Sequence, residues 1–583
     1  MKIKYYILSI VSVVVLSSCS NLDYNEVQMN DEEWLFTNQA QVQRLLFDIY
    51  AQVRYDMGDD YIGAMLASAT DESDCPLTIS LIHRYYNGAW SSVNSFPTTW
   101  NTSYQAIRQA NAFLEDMDKV MAVLDDYKYN QYTEYTYEDL VKMYERFPYE
   151  ARFLRAYFYF ELAKTYGDVP LVTKTLTPTE ANSLRRTPVQ EVFDFIVKEC
   201  DLIANFLPIT YINDKGSQVG RVNRATVQAL KARTLIYAAS PLHQPANPKE
   251  AWRKAAVACK EIIDNRVAWD LSLSAYNTLW GPNNHSQAKE IIWIRRISNT
   301  NRYQLYNYPA GNENVLGGNC PSQTLVDAYE YSSNAPVELS GKTWPQAELE
   351  GILPANPYAN LDPRFALTVA RTGDTWPTTT PYNANPLQTF EGGRNGPPIL
   401  NATRTGYYLK KYLDGSRRVT TADENSSNVS WIIYRLGEVY LNYAEAMFNY
   451  MDRDATAIGD GILDMSANDA INVLRNRSGI AMPLFGSETN GNIWEERYMR
   501  ERMVELAFES HRFWDVRRWK KGPEFFTQIK TIKVTPIPGV NNEYTYERGT
   551  PISRGTWNDK YYLYPIPFSE IQRATNLEQN PGW

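Results

Sequence analysis

Hydrophobic residues recur every three to four positions through most of the first half of the chain. Val42, Leu45, Leu46, Ile49 and Val53 set the pattern, which places an apolar stripe on one face of a helix. The same spacing predicts further helices around 100–114, 151–166, 187–207, 223–239, 252–263, 431–450, 467–478 and 492–518, the last with a break near His511. Paired amphipathic helices predict a mainly α fold in which tetratricopeptide-like helical hairpins form an α-superhelix.

The segment 266–430 lacks this periodicity and is dense in Gly, Asn, Pro, Thr, Tyr and Trp. Short β-like runs predict small strands at 290–294, 365–369 and 407–412. A long irregular segment is usually functional or disordered, and the aromatic content argues against disorder. We therefore expect a loop-rich ligand-binding part inserted between an N-terminal helical part, 31–265, and a C-terminal helical part, 431–583, within one integrated unit.

The first 18 residues combine two lysines, a short apolar run and small residues, which are the parts of a secretory signal peptide. The run is shorter than the roughly 20 apolar residues that a membrane-spanning helix needs. The junction Leu16-Ser17-Ser18-Cys19 resembles a bacterial lipobox, which implies cleavage before Cys19 and lipid on that cysteine. The alternative is an ordinary signal peptide whose cysteine is incidental. Residues 19–30 are short, polar and patternless, so we expect a flexible tether.

The net charge argues against one class of ligand. A net charge of −9 without a basic stripe argues against nucleic-acid binding, because phosphates need neutralisation by Lys and Arg.

Besides Cys19 the chain has Cys75, Cys200, Cys259 and Cys320, widely spaced and without a CxxC pair. These four can pair in three ways in an exported protein. We expect buried, unpaired thiols instead, because a core of this size needs no covalent staple.

The sequence carries no motif of a catalytic centre. The histidines His83, His243, His285 and His511 are isolated and lack HExxH spacing. A GxSxG elbow, a phosphate-binding loop, a GxGxxG turn and an EF-hand pattern are also absent from the sequence. We therefore predict a protein that is not an enzyme, with no catalytic residue, no metal site and no cofactor.

Two groups of charged residues invite a functional interpretation. Asp71, Glu72 and Asp74 form an acidic cluster, and paired carboxylates at a suitable separation run glycoside hydrolysis. Because sequence neighbours diverge, that separation is not visible, and structural, ligand-contact and catalytic roles stay open, with the structural role favoured. The second group lies near the C-terminus, where we expect a structural clasp. It comprises Glu505, Glu509, Arg512, Asp515, Arg517 and Arg518.

Seven segments have distinctive local sequences that follow one another along nearly the whole chain. They lie at 150–171, 220–238, 362–365, 405–411, 435–446, 502–519 and 564–583. Examples are Asp362-Pro363-Arg364-Phe365 and the run from Arg435 to Ala446. Together with the lipobox they resemble the SusD/RagB family of outer-membrane nutrient-binding lipoproteins.

This resemblance implies four tetratricopeptide-like hairpins and an irregular ligand-binding part. It implies a lipid-anchored protein of the outer membrane that captures glycan at the cell surface. It also implies a partner, a SusC-like TonB-dependent transporter, over which such a protein sits as a lid. Two alternatives stay open, a lipoprotein of the same transport system that binds peptides or another nutrient, and a surface glycoside hydrolase.

Two loop regions rich in aromatic residues are the candidate ligand site. Sugar rings pack their C–H faces on aromatic planes, and sugar hydroxyls need polar partners once they are desolvated. The two regions contain Tyr85, Tyr86, Trp90 and Asn94, and then Trp280, Arg302, Tyr303, Tyr306 and Tyr308. For each aromatic residue a packing role is as consistent with the sequence as ligand contact. We predict that at least one residue from each region contributes to a shared platform.

We predict that Cys19 is the lipidated first residue of the mature protein. Mass spectrometry of the mature N-terminus should therefore find a modified Cys19. Cys19→Ala should release the protein from membranes with unchanged thermal stability, because the tether lies outside the predicted core. An unmodified N-terminus at another residue would contradict the anchor.

Overall fold

A computed structural model of the chain describes residues 36, 39–96, 99–128, 135–214, 216, 218–297, 301–311, 315–375, 386–414 and 428–583. The predicted signal peptide, the lipidated Cys19 and the tether lie outside these residues. Within the described part of the chain, no helix is both long enough and apolar enough to cross a membrane.

Helices dominate the described residues. In chain order they are α1 (Gln39–Ala51), α2 (Thr99–Glu115), α3 (Met117–Ala122), α4 (Tyr137–Tyr144), α5 (Phe147–Tyr166), α6 (Pro178–Asn182), α7 (Val189–Ile203), α8 (Arg224–Ala239), α9 (Pro248–Asn265), α10 (Asn284–Gln287), α11 (Arg302–Asn307), α12 (Gln323–Ala328), α13 (Trp344–Leu349), α14 (Pro363–Thr368), α15 (Leu436–Tyr450), α16 (Ala467–Arg475), α17 (Gly491–Glu505), α18 (His511–Arg518), α19 (Gly522–Phe525) and α20 (Phe568–Arg573). Short 3-10 turns lie at Leu66–Ala69, Leu81–Tyr85, Val123–Tyr127, Ala204–Phe206, Tyr276–Leu279 and Asp559–Tyr562.

The long helices pack in series along the chain. Helix α1 packs on α2, α2 on α5, α5 on α7, α7 on α8, and α8 on α9. Helix α9 then packs on α15, and α15 on α16, although the whole irregular segment separates α9 from α15 in sequence. Helix α5 is buried on nearly every side, which is typical of a helix at the centre of a stack. The predicted mainly α fold of stacked hairpins is confirmed.

The strands form small antiparallel pairs. They are β1 (Ser73–Asp74) with β3 (Cys320–Pro321), β2 (Ile291–Arg295) with β6 (Trp431–Arg435), β4 (Val369–Ala370) with β5 (Tyr408–Leu409), β7 (Gln528–Ile529) with β10 (Ile552–Ser553), and β8 (Ile532–Pro536) with β9 (Tyr544–Arg548). The pairs β1–β3, β2–β6 and β4–β5 each involve the irregular segment, so they tie it to distant parts of the chain or to itself.

Two local predictions were wrong. The helix predicted from residue 431 begins only at Leu436, because Trp431–Arg435 pairs as a strand with Ile291–Arg295. The strand predicted at 365–369 is mostly the helix Pro363–Thr368. Its first turn contains Pro363, and the Asp362 carboxylate accepts the backbone N–H of Arg364. In both cases a partner or cap outside the apolar run decides the structure.

The four cysteines of the described chain, Cys75, Cys200, Cys259 and Cys320, are free and buried. This confirms the prediction that these four cysteines are buried, unpaired thiols. Burial raises the pKa of Cys75 to about 11, so its thiol stays protonated at neutral pH.

The C-terminal charges connect α15, α17 and α18. Arg502 on α17 donates to Asp515 on α18 over 2.7 Å, and Arg518 donates to Glu445 on α15 over 2.5 and 2.7 Å. The indole of Trp519 and the hydroxyl of Tyr498 also donate to Glu445. The predicted structural clasp is thus present, although its partners lie mostly on other helices.

We expect the clasp to make the free energy of unfolding decrease at acidic pH. Burial alone raises the pKa of Glu445, but Arg518 outweighs it and lowers that pKa to about 2. Because the folded pKa lies below the unfolded value, Glu445 stabilises the fold above about pH 4.5, by about 3 kcal/mol, and this is lost as the pH falls towards 2. Urea titrations between pH 7 and pH 2.5 should show Glu445→Gln to be less stable at pH 7 and less sensitive to acid.

The matched control is Glu547→Gln, which removes a carboxylate paired with Lys533 at the surface, where both side chains are 66% exposed. Its acid profile should match that of the wild type, because exposed ion pairs contribute little. Equal acid sensitivity of Glu445→Gln and the wild type would contradict the assignment.

Candidate functional site

The first predicted aromatic region is largely part of the core. Tyr85 is 1% exposed, and its ring stacks on Phe96 with the centroids 3.9 Å apart. Trp90 is 3% exposed and stacks on Tyr561, with Trp583 against its edge. These two rings have both faces enclosed by the protein. The packing role therefore fits both of them, and neither presents a free ring face to a ligand.

Three aromatic residues of the second predicted region are also buried. Trp280, Tyr303 and Tyr308 are at most 5% exposed. The ammonium of Lys411 lies 3.7 Å from the ring centroid of Trp280, and the Tyr303 hydroxyl donates to the backbone carbonyl of Lys411. The Tyr308 hydroxyl donates to the carbonyl of Asp414 over 2.7 Å. Because these hydroxyls and rings already have partners, the residues hold the irregular segment together and present no free ring face.

Tyr86 is the aromatic residue of the first region that stays half-buried at the surface. The guanidinium of Arg554 covers it, with Cζ 4.0 Å from the ring centroid. The imidazole of His83 fixes its hydroxyl. Nε2 of His83 lies 2.7 Å from the carbonyl of Leu77, which can only accept, so Nδ1 accepts the proton of the Tyr86 hydroxyl over 2.6 Å. Burial lowers the pKa of His83, which keeps this neutral tautomer.

An arginine that the sequence did not single out lies beside this tyrosine. The Arg404 side chain is 48% exposed, and its Nε and Nη2 both donate to the buried Asp74 carboxylate over 2.8 Å. Arg554 also donates to Asp74, over 3.3 Å. Asp74 belongs to the acidic cluster noted in the sequence, but no sequence pattern linked it to two arginines more than 300 positions away.

The rest of the acidic cluster is structural. Asp71 accepts two hydrogen bonds from Arg512, at 2.9 and 2.8 Å. Glu72 accepts the backbone N–H of Phe508 over 2.6 Å, and burial raises the pKa of Glu72 to about 8. The three carboxylates of the cluster are at most 3% exposed. Their partners are protein groups, which fits the structural role favoured from the sequence.

The second surface group surrounds Tyr306. Its half-buried ring lies across Gly58 and Gly63, whose φ angles of +91° and +87° are open to glycine and strained for other residues. A β-carbon on Gly63 would lie 3.3 Å from the Tyr306 ring, so glycine also permits this close approach. Arg302, on the same short helix, contacts Asp59 at 3.4 Å, and its side chain is 66% exposed.

One segment, 58–77, supports both surface groups. A β-carbon on Gly63 would also collide with the side chain of Leu77, so Leu77 packs on the same backbone segment that Tyr306 lies against. The carbonyl of Leu77 in turn binds His83, which positions Tyr86. Asn94 lies at the surface as well, but its side-chain amide donates to the carbonyl of Ala89 and shapes its own loop. No ring contact between Tyr86 and Tyr306 occurs among the described residues, so a shared platform stays a prediction.

Comparisons with known proteins agree with this architecture. A family model described as "SusD family" matches residues 287–583, and one described as "Starch-binding associating with outer membrane" matches residues 22–236. The chain belongs to the SusD family. Among curated proteins it is 24% identical to SusD-like protein P2 of Formosa agariphila, over the full length of both chains.

Solved structures share the fold. A SusD-like protein from Bacteroides fragilis is 24% identical with a TM-score of 0.71, covering 95% of this chain and 99% of its own. A SusD-like carbohydrate-binding protein from the same organism has a TM-score of 0.69 at 23% identity, over 93% of this chain and all of its own. A laminarin-binding SusD-like protein has a TM-score of 0.60 at 19% identity, over 94% of this chain and all of its own. These similarities show that the chain has the same fold as these SusD-like proteins.

Proposed function

We propose that this SusD family protein captures oligosaccharide or polysaccharide at the cell surface. The observation that carries the proposal is the half-buried Tyr86 ring, held by Arg554 and His83 beside the half-exposed guanidinium of Arg404. A preorganised aromatic plane next to outward-facing hydrogen-bond donors suits a sugar, whose C–H face packs on the ring while its hydroxyls find partners. Relatives described as carbohydrate-binding and laminarin-binding support the same class of ligand.

The second surface group provides a further contact for a long ligand. Tyr306 offers its half-buried ring, and Arg302 and Asp59 offer a donor and an acceptor. Tyr306 lies against Gly58 and Gly63, and the carbonyl of Leu77 positions Tyr86 through His83, so the segment 58–77 is linked to both groups. We expect an extended chain of several sugar units to contact both groups.

We further propose that the protein is lipid-anchored at Cys19 in the outer membrane and passes its glycan to a SusC-like TonB-dependent transporter. The family description "Starch-binding associating with outer membrane" supports the location. The lipobox-like junction supports the anchor. A glycan-binding protein needs such a partner for uptake, because capture alone does not move a glycan across the membrane.

Glycan binding tests the site directly. After a panel of polysaccharides has identified a ligand, isothermal calorimetry should show weaker binding by Tyr86→Ala and by Tyr306→Ala, each by about 1–3 kcal/mol, by analogy with the range measured for nucleobases stacked on aromatic side chains. Tyr86→Phe is the matched control, since it keeps the ring and loses only the hydroxyl bonded to His83. Circular dichroism checks that each variant is folded.

Wild-type affinity in both alanine variants would contradict this site while leaving glycan binding intact. Binding to peptides but to no polysaccharide in the panel would contradict the glycan proposal itself and favour the peptide-binding alternative.

The transporter proposal is tested by affinity purification. A tag on the C-terminus, used with gentle detergent on native membranes, should recover a large TonB-dependent barrel protein in near-stoichiometric amount. The Cys19→Ala variant should recover much less of it, because it leaves the membrane. Recovery of the wild-type protein without any barrel protein, with the tag shown to be accessible, would contradict the partnership.

A further inference from the structure

Two arginines share a single carboxylate beneath the Tyr86 surface. Arg404 donates to both oxygens of Asp74, and Arg554 donates to one of them and to the carbonyl of Ser73. Asp74 is 0% exposed, so its negative charge faces the guanidinium groups and not the solvent. The three side chains together carry one unit of excess positive charge, in a protein whose net charge is −9.

The outer guanidinium has donors to spare. Nε and Nη2 of Arg404 are occupied by Asp74, and Nη2 also donates to the carbonyl of Cys75 over 3.2 Å. Nη1 carries two further N–H groups. It has no hydrogen-bond partner among the residues that the structure describes, and the side chain is 48% exposed. Because Asp74 binds Nε and Nη2 of the planar guanidinium, Nη1 on the opposite side is held in a fixed direction, away from Asp74.

From this geometry we infer that the Tyr86 surface recognises an anionic glycan, with Nη1 of Arg404 binding a carboxylate or a sulfate ester on the sugar. The inference rests on the proposed glycan-binding function and names its class of ligand. Both anions present oxygens that accept an N–H group of Nη1, and such charge-assisted hydrogen bonds are stronger than neutral ones.

The surroundings favour an anion over a neutral hydroxyl group. Arg554 is only 3% exposed and stacks on Tyr86, so it does not reach the ligand but adds positive charge behind the ring. Tyr86 donates its hydroxyl proton to His83 and has Arg554 on one face, so the sugar would pack on the face of the ring turned away from Arg554. A sugar ring on Tyr86 with an acidic substituent towards Arg404 satisfies both features at once.

The experiment compares glycans that differ only in charge. The carboxylate pair is a galacturonic acid hexasaccharide and its fully methyl-esterified form, and the sulfate pair is a sulfated galactan oligosaccharide and its desulfated form. A broader panel of acidic and neutral polysaccharides in affinity gels covers other backbones. We expect at least one acidic glycan to bind at least tenfold more tightly than its neutral partner, and the preference to shrink between 50 and 500 mM NaCl.

Arg404→Gln should reduce the affinity for the acidic glycan at least tenfold and remove the preference. Arg404→Lys keeps the charge but loses the fixed fork, so it should retain part of the preference. The matched control is Arg573→Gln, which removes another exposed arginine, paired with Glu570 at 3.1 Å on α20. This control should bind like the wild type. Thermal unfolding of each variant shows whether the loss of a partner for Asp74 has disturbed the fold.

A wild-type protein that binds neutral glycans as tightly as acidic ones, or an Arg404→Gln variant that keeps the preference, would overturn this inference while leaving the proposed function standing. Failure to bind any glycan of either charge would overturn both. The two arms identify the anion, because a carboxylate-only or sulfate-only preference supports the inference and names its source.

Discussion

One glutamate carboxylate joins three parts of the chain that are far apart in sequence. Glu505, at the end of α17, accepts Arg364 from the irregular segment and Arg435 from the end of β6, each over 2.7 Å, and lies 3.1 Å from Arg477. The three arginines hold the pKa of Glu505 well below its usual range against the effect of burial. Further carboxylates extend the network, namely Glu290, Glu330, Asp362, Glu501 and Glu509. Removing one partner from such a buried pair typically costs about 3–5 kcal/mol.

The same network reaches the candidate site. Between α17 and α18 the chain turns through Phe508 and Ser510, both with positive φ, a conformation that non-glycine residues rarely adopt. Carboxylates from the segment 56–72 hold this turn, since Glu72 accepts the N–H of Phe508 and Asp56 accepts the hydroxyl of Ser510. That segment leads directly into Asp74 and Leu77. The segment that leads to the surface around Tyr86 and Arg404 is therefore held by buried hydrogen bonds to this turn.

The aromatic residues of the loops have different roles in the core and at the surface. Beneath the surface, Trp90, Trp280 and Tyr303 pack against other aromatic residues or cations and give the loops a core. At the surface, Tyr86 and Tyr306 keep part of their rings in contact with solvent. The loops thus remain ordered without regular secondary structure, because their aromatic residues provide the burial that helices provide elsewhere.

Much of the fold was evident in the sequence. The spacing of apolar residues predicted the helices that stack, since a helix repeats every 3.6 residues regardless of its partners. Seven local motifs in the sequence were enough to indicate the family. The same reasoning failed at Trp431–Arg435, which has helical neighbours but becomes a strand because Ile291–Arg295 supplies its hydrogen bonds. It also failed at 363–368, where the Asp362 cap outweighs the apolar run that follows.

The candidate site shows where sequence reasoning ends. Composition and loop position selected nine aromatic and polar residues, but they do not distinguish a buried ring from an exposed one. That distinction depends on what packs on each ring, and for Trp90 this is Tyr561, which stacks on it from a distant part of the chain. Likewise Arg404 meets Asp74 only in the folded chain. The sequence by itself determined the helical class and the family, because these follow from local periodicity and motifs. Only the tertiary structure decided which side chains face a ligand, because burial and charge pairing depend on contacts between residues hundreds of positions apart.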